Sequence, residues 1–171
     1  MANVFPFAAI TKDSKGQVLT EMADLAEGGA VGFSDDGNPV MNSQVMRRAL
    51  EYSKPLNTLI SDHCEDKNLS DNGIMHEGYY SYRYGLKGIP PSSEEVMVSR
   101  DIILAEKADT RIHISHVSTK GSIELIRNAK EKGIAVSAEV TPHHLLLSDE
   151  SLRSYDPVSY THLRAHETKA N

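Results

Sequence analysis

Apolar residues are spaced along this chain in two alternating ways. Short runs rich in β-branched and aromatic side chains fall at 4–10, 30–34, 58–62, 111–117 and 135–140. Runs of that length and kind predict buried strands of a parallel sheet. The segments between them change period. Leu19, Met22, Leu25 and Ala26 recur at helical spacing and stop at Gly28-Gly29, predicting a helix over 17–27. Val45, Met46, Ala49 and Leu50 predict a second helix, capped by Asn42 or Ser43 and ending before Pro55. Ser92 and Glu95 have capping-box spacing at the head of a third helix that runs to about Lys107. Ile123, Leu125, Ile126 and Ala129 mark a fourth over 121–132, capped by Ser118 or Thr119 and stopped at Gly133. The polar stretch 66–91 reads as a loop with a short helix around 76–84.

Most strand-to-strand steps are roughly 25 residues, the length of right-handed βαβ units. An open doubly wound sheet and part of a (β/α)8 barrel both accommodate five such strands. No Gly-rich phosphate loop follows a strand, and the polar groups lie at several strand ends rather than at one crevice. Both facts favour the barrel. The expected fold class is α/β, a partial (β/α)8 TIM barrel.

Composition acts mainly by exclusion. The chain has 171 residues, 39% hydrophobic and 25% charged, with a net charge of −6, enough for one domain with a sizeable core. No apolar stretch approaches the roughly 20 residues of a membrane span, and the first residues lack the features of a signal peptide. No Lys/Arg cluster marks a nucleic-acid surface. Neither membrane nor nucleic acid is an expected partner. The single cysteine, Cys64, rules out an internal disulfide and fits a reducing cytosol.

The candidate chemistry lies at three strand ends: Ser34-Asp35-Asp36-Gly37, Asp62-His63-Cys64-Glu65-Asp66 and His113-Ile114-Ser115-His116-Val117-Ser118. On a strand, residues two apart share a face. His116 therefore goes with Ile112 and Ile114, and His113 points the other way. Residues at the C-terminal end of a barrel strand reach its mouth, which makes His116 the better ligand and His113 the better packing residue. His63 ends its strand in the same way. One of Asp35 and Asp36 is expected to coordinate. Two imidazoles and a carboxylate suit Zn²⁺ or a similar divalent ion; the alternative is a set of core histidines with backbone partners. His143 and His144, after the last strand, read either as groups near the site or as loop packing. Cys64, of opposite parity to His63, reads as a small buried hydrophobe rather than a nucleophile. His76 is expected to be solvated in the long loop. Tyr79, Tyr80, Tyr82 and Tyr84 read as packing for that loop or as a subunit contact.

Seven segments together resemble bacterial dihydroorotase, in that family's order and at about its spacing. They are Ala9-Ile10-Thr11-Lys12, Ala30-Val31-Gly32-Phe33-Ser34-Asp35-Asp36-Gly37, Met46-Arg47-Arg48-Ala49-Leu50-Glu51-Tyr52, His63-Cys64-Glu65-Asp66, Gly85-Leu86-Lys87-Gly88-Ile89-Pro90, His113-Ile114-Ser115-His116-Val117-Ser118-Thr119 and Ala138-Glu139-Val140-Thr141-Pro142-His143-His144-Leu145. The resemblance covers residues 2–156. It implies an amidohydrolase barrel, of which this chain would be roughly strands 3 to 7, and a cytoplasmic enzyme of pyrimidine synthesis that interconverts N-carbamoyl-L-aspartate and L-dihydroorotate. By position, Asp36 resembles the aspartate that bridges two zinc ions, and His63 and His116 resemble the ligands of the second. Asp35 is then a neighbour. Hydantoinases and many other dihydroorotases carry a carbamylated lysine at the bridging position, so Asp36 argues for the Asp-bridged type.

The family's His-x-His pair, its substrate-binding arginine and asparagine, and its acid–base aspartate have no counterpart here. The resemblance thus implies two Zn²⁺ per parent site, with at most half of that site encoded and no catalytic residue in this chain. An inactive fragment, prone to aggregate through exposed strand edges, is expected. The parent would be a homodimer or an associate of aspartate carbamoyltransferase. Competing readings are another cyclic-amide hydrolase, hydantoinase- or allantoinase-like, and a non-catalytic dihydroorotase-like partner of the transferase. The expected organisation is a partial barrel over 1–157 and a non-native tail over 158–171. Residues 158–168 resemble one reading frame of a sequencing-library adapter.

Overall fold

A computed structural model describes residues 2–154; the proposed tail, 158–171, lies outside the described residues. In chain order the elements are β1 (Phe7–Ala8), α1 (Met22–Glu27), β2 (Gly32–Phe33), α2 (Ser43–Leu56), β3 (Leu59–Asp62), α3 (Lys67–Ser70), β4 (Met75–His76), α4 (Tyr79–Tyr84), β5 (Gly88–Ile89), α5 (Ser92–Ala108), β6 (Ile112–Ile114), α6 (Lys120–Glu131), β7 (Val136–Ala138) and α7 (Pro142–Leu146). Five strands form one parallel sheet in the order β1-β2-β3-β6-β7. Parallel neighbours joined by α2, α5 and α6 make a segment of (β/α) barrel, as the alternating apolar pattern predicts.

One face of the sheet is covered. Ile60, Ile112 and Val136 stand in register on β3, β6 and β7. They pack in one buried cluster with Met46 and Leu50 of α2, Val98 and Ile102 of α5, and Ile126 of α6. Ser61, His113 and Ser137, also in register, occupy the opposite face. That face is the one a closed barrel turns inward. Gly32 of β2 is required by proximity, because a Cβ there would lie 2.5 Å from the Phe7 ring and 2.9 Å from the Leu59 carbonyl oxygen.

Several boundaries differ from the sequence reading, each for a local reason. Residues 17–21 are not helical: Lys12 N–H donates to Val18 O and Thr20 N–H to Ile10 O, which folds the segment back on the end of β1, and the helix begins at Met22. α2 continues through Pro55 and ends at Asn57, which takes the left-handed conformation. A proline in the last turn removes only one intrahelical bond. The Ser92–Glu95 capping box does not form; α5 instead follows Pro91, whose carbonyl accepts from Glu94 and Glu95 N–H. Asn42 and Thr119 cap α2 and α6 through their side chains. The 66–91 excursion holds, besides α4, the small parallel pair β4–β5, too short for a periodicity to reveal. His76 sits on β4, half-buried rather than solvated, and burial pushes its pKa down against the pull of Asp149 and Glu77. No helix among the described residues is long and apolar enough to cross a membrane.

Candidate metal centre

Three side chains meet at the C-terminal ends of β2, β3 and β6. After β2, residues 35–38 form a tight turn in which Asn38 N–H donates to Asp35 O at 2.9 Å. Gly37 takes φ +88° at its third position, where a type II turn requires a positive φ. The turn splits the two aspartates. Asp35 goes inward, 2% exposed, and accepts from the Thr11 N–H at 3.0 Å and from the Thr11 hydroxyl. Asp36 projects over the strand ends. His63 follows β3 directly, half-buried, on the same side of the sheet as Ser61.

His116 reaches this point by a different route from the one strand parity suggests. Ile112 and Ile114 face the helices, so unbroken alternation would send His116 there too. Ser115 still follows the alternation, its Oγ 2.7 Å from that of Ser61. At His116 the backbone turns left-handed, φ +38°, and the imidazole swings to the mouth. A non-glycine residue in that conformation costs about 1–2 kcal/mol. His113 faces the barrel interior, where Nδ1 lies 2.9 Å from Ser137 Oγ and Nε2 3.6 Å from Glu139. The assignment of faces to His113 and His116 by parity is thus reversed, although it is His116 that joins the cluster.

The donor atoms form a small triangle. His63 Nδ1 is 3.0 Å from His116 Nε2, His116 Nε2 is 3.2 Å from Asp36 Oδ1, and Asp36 Oδ1 is 3.5 Å from His63 Nδ1. Ligands on one face of a tetrahedron around an ion with bonds of about 2.1 Å stand about 3.4 Å apart, so the triangle is close to the size a divalent ion needs. Burial works against ionisation of Asp36, but the hydrogen bond and charge of His116, the Gly37 amide and His63 outweigh it and hold the carboxylate below its usual pKa. The opposite ring nitrogen of His63, Nε2, is 3.1 Å from Glu65 Oε2. Glu65 is itself bonded by Lys67 and Ser70. Burial raises its pKa, yet those hydrogen bonds and that from His63 bring it well below the ordinary range.

This carboxylate–imidazole pair frees Nδ1 to bind and locks the ring. Glu65→Gln is expected to weaken divalent-metal affinity about 10- to 100-fold, measured by chelator competition, with the fold intact by circular dichroism. The sequence reading did not single out Glu65. Its signal was its place two residues after His63, on the same side of an extended chain.

A cleft of about 600 Å³ opens over these groups, with Gly37, His63, Glu65 and His116 on one side and Asn72, Ile74 and Ile89 among its other lining residues. Cys64 turns the other way. It is 5% exposed, its Sγ 3.5 Å from Asp101 and 3.7 Å from Asp62. Burial and these two carboxylates push its thiol pKa well up, the reverse of what a nucleophile needs. Asp62, Cys64 and Asp101 are also close enough to share an ion, but the Arg100 guanidinium already lies against both carboxylates. His144 lies buried beside the His116 segment. Burial and the charge of His116 lower its pKa, while Glu94 and the Val117 backbone raise it.

Among known proteins, the family model described as dihydro-orotase-like matches residues 1–122. A dihydroorotase of Pelotomaculum thermopropionicum is 60% identical over 154 residues, 90% of this chain and 36% of its own length. One from a Thermoanaerobacter species is 50% identical over 169 residues, 98% of this chain and 39% of its own. The chain therefore spans little more than a third of these relatives. Among solved structures, L-hydantoinase from Arthrobacter aurescens superposes with a TM-score of 0.67 at 20% identity, over 80% of this chain and 33% of its own. At that identity the likeness concerns fold alone, and it is to the barrel that the five parallel strands already indicate. With the family model matched across most of its residues, this chain belongs to the dihydro-orotase-like family.

Proposed function

We propose that this chain supplies one half of the metal centre of a dihydroorotase, a cyclic-amide hydrolase that interconverts N-carbamoyl-L-aspartate and L-dihydroorotate in pyrimidine synthesis. The observation that carries this reading is the triangle of Asp36, His63 and His116, with sides of 3.0 to 3.5 Å. In this reading His63, His116 and Asp36 would hold a Zn²⁺ ion between them. Bound there, the ion would supply a Lewis acid for a substrate carbonyl and for a nucleophilic water. The chain's own residues do the positioning: Glu65 sets the His63 tautomer, Asp35 anchors the turn that aims Asp36, and the cleft admits a small polar molecule. Aspartate at 36 supplies bridging charge without a modified lysine, which favours dihydroorotase over hydantoinase-like hydrolysis. The parent is read as a cytoplasmic enzyme, homodimeric or associated with aspartate carbamoyltransferase.

Purified 1–171 is expected to bind Co²⁺ with the intense visible absorption of a low-symmetry site, and to show no turnover of dihydroorotate. The matched relatives are about two and a half times as long, and none of the residues assigned to the site acts as the oriented acid–base. Absence of Co²⁺ binding would remove the metal reading; measurable turnover would remove the half-site reading.

A further inference from the structure

His116 owes its aim to a backbone conformation that the rest of its strand does not share, so something must hold it. The geometry points to Glu94, in the first turn of α5, as the positioning residue that clamps the His116 loop for metal binding. Glu94 is 3% exposed, and its carboxylate is spent on the two residues that follow the loop. Oε2 accepts from Ser118 Oγ at 2.6 Å and Ser118 N–H at 3.0 Å; Oε1 accepts from Thr119 N–H at 3.1 Å and Thr119 Oγ1 at 3.0 Å. Oε2 thus takes one amide and one hydroxyl, and Oε1 takes one of each from Thr119 and a longer share, 3.3 Å, of the Ser118 N–H. Thr119 is also the cap of α6, its Oγ1 accepting from Ser122 N–H at 3.2 Å.

The chain is therefore fixed on both sides of His116. Ser115 N–H donates to Asp62 O at 3.1 Å before it and Val117 N–H to Glu139 O at 2.9 Å after it, and the Glu94 clamp holds the next two residues, 118–119, from the α5 side. Between these anchors the backbone at 116 is left-handed, which turns the imidazole toward Asp36 and His63. A buried carboxylate that takes four hydrogen bonds is a rigid fixture. A glutamine in its place presents N–H groups to N–H donors and leaves part of the set unsatisfied.

This inference rests on reading His116 as a metal donor, and the test separates the two. Co²⁺ and Zn²⁺ affinities are measured on the full chain for wild type, E94Q and S118A, and urea midpoints of the metal-free chain are measured for E94Q in the wild-type and H116G backgrounds. Loss of the clamp is expected to weaken metal binding at least tenfold in E94Q and at least threefold in S118A, which keeps α6 capped by Thr119. Glycine at 116 needs no holding in a left-handed conformation, so E94Q is expected to lower the midpoint less in the H116G background. Unchanged affinity in folded E94Q or S118A, or equal midpoint losses in both backgrounds, overturns the clamp. Should E94Q be unfolded, the S118A affinity decides alone. A wild-type chain that binds no metal overturns the donor reading instead, and the urea comparison then still decides whether Glu94 holds the loop.

Discussion

Replacement of His63 by alanine is expected to lower the affinity of the chain for Zn²⁺ several-hundred-fold. Complete four-ligand zinc sites bind with about 10–16 kcal/mol, so one ligand accounts for about 3–4 kcal/mol, and each 1.4 kcal/mol or so is a factor of ten. His63 is the largest single loss because it is the most constrained donor. It leaves the end of β3 directly, and its second ring nitrogen is held at 3.1 Å by Glu65. Without it the triangle keeps only His116 and the exposed Asp36, 3.2 Å apart. Competition with a chromophoric chelator reads the effect. His113→Ala is the control: its ring is engaged with Ser137 and Glu139 on the inner face, and affinity is expected to stay within a factor of two or so. Equal losses in the two variants would mean that the metal binds elsewhere.

Arg100→Met is expected to destabilise the fold by about 3–5 kcal/mol, the cost of stranding a buried charge. The side chain of Arg100, on α5, reaches toward the end of β3, 2.6 Å from Asp101 and 3.5 Å from Asp62. Both carboxylates are almost wholly buried. Burial, and then the neighbouring Asp101, drive the Asp62 pKa well up, and Arg100, with a smaller contribution from the Cys64 hydrogen bond, opposes them. One guanidinium N–H also donates to Val40 O at 2.7 Å, which ties α5 to the loop after Asp36. Removing the cation leaves two carboxylates facing each other and a backbone carbonyl unpaired. Urea unfolding measures the loss, and Asp101→Asn added to the variant is expected to recover part of it by taking away the excess charge. A loss below about 1 kcal/mol, or no recovery in the double variant, would show that the network does not carry the stability assigned to it.

The strand and helix pattern is legible because both periodicities are strong here. Ile60, Ile112 and Val136 sit in β-rich runs, and α2 and α6 carry clear apolar stripes. The order of elements and the parallel sheet follow from that pattern. What local patterning misreads is where tertiary bonds override it. The start of the expected first helix is instead drawn back toward β1 by the Lys12–Val18 and Thr20–Ile10 backbone bonds. Ser92 and Glu95 have the spacing of a capping box, but the carboxylate that matters in that turn is Glu94, and its partners lie 24 and 25 residues away. No local window contains that bond.

By itself the sequence determined the repeating strand–helix order, the acidic and histidine residues at strand ends, and the family to which they bear resemblance. These are properties of spacing and residue type, and spacing fixes them because a strand repeats every two residues and a helix every 3.6. The resemblance pointed to Asp36 and His116, but only the tertiary structure shows how these members of each pair converge. Asp36 rather than Asp35 overhangs the strand ends because of the turn at Gly37, and His116 joins His63 because its backbone departs from strand geometry. The physical reason is that a site is built from distances between segments far apart in the chain. Those distances depend on buried bonds, such as that of Asp35 to Thr11 and of Glu94 to Ser118, which no periodicity encodes.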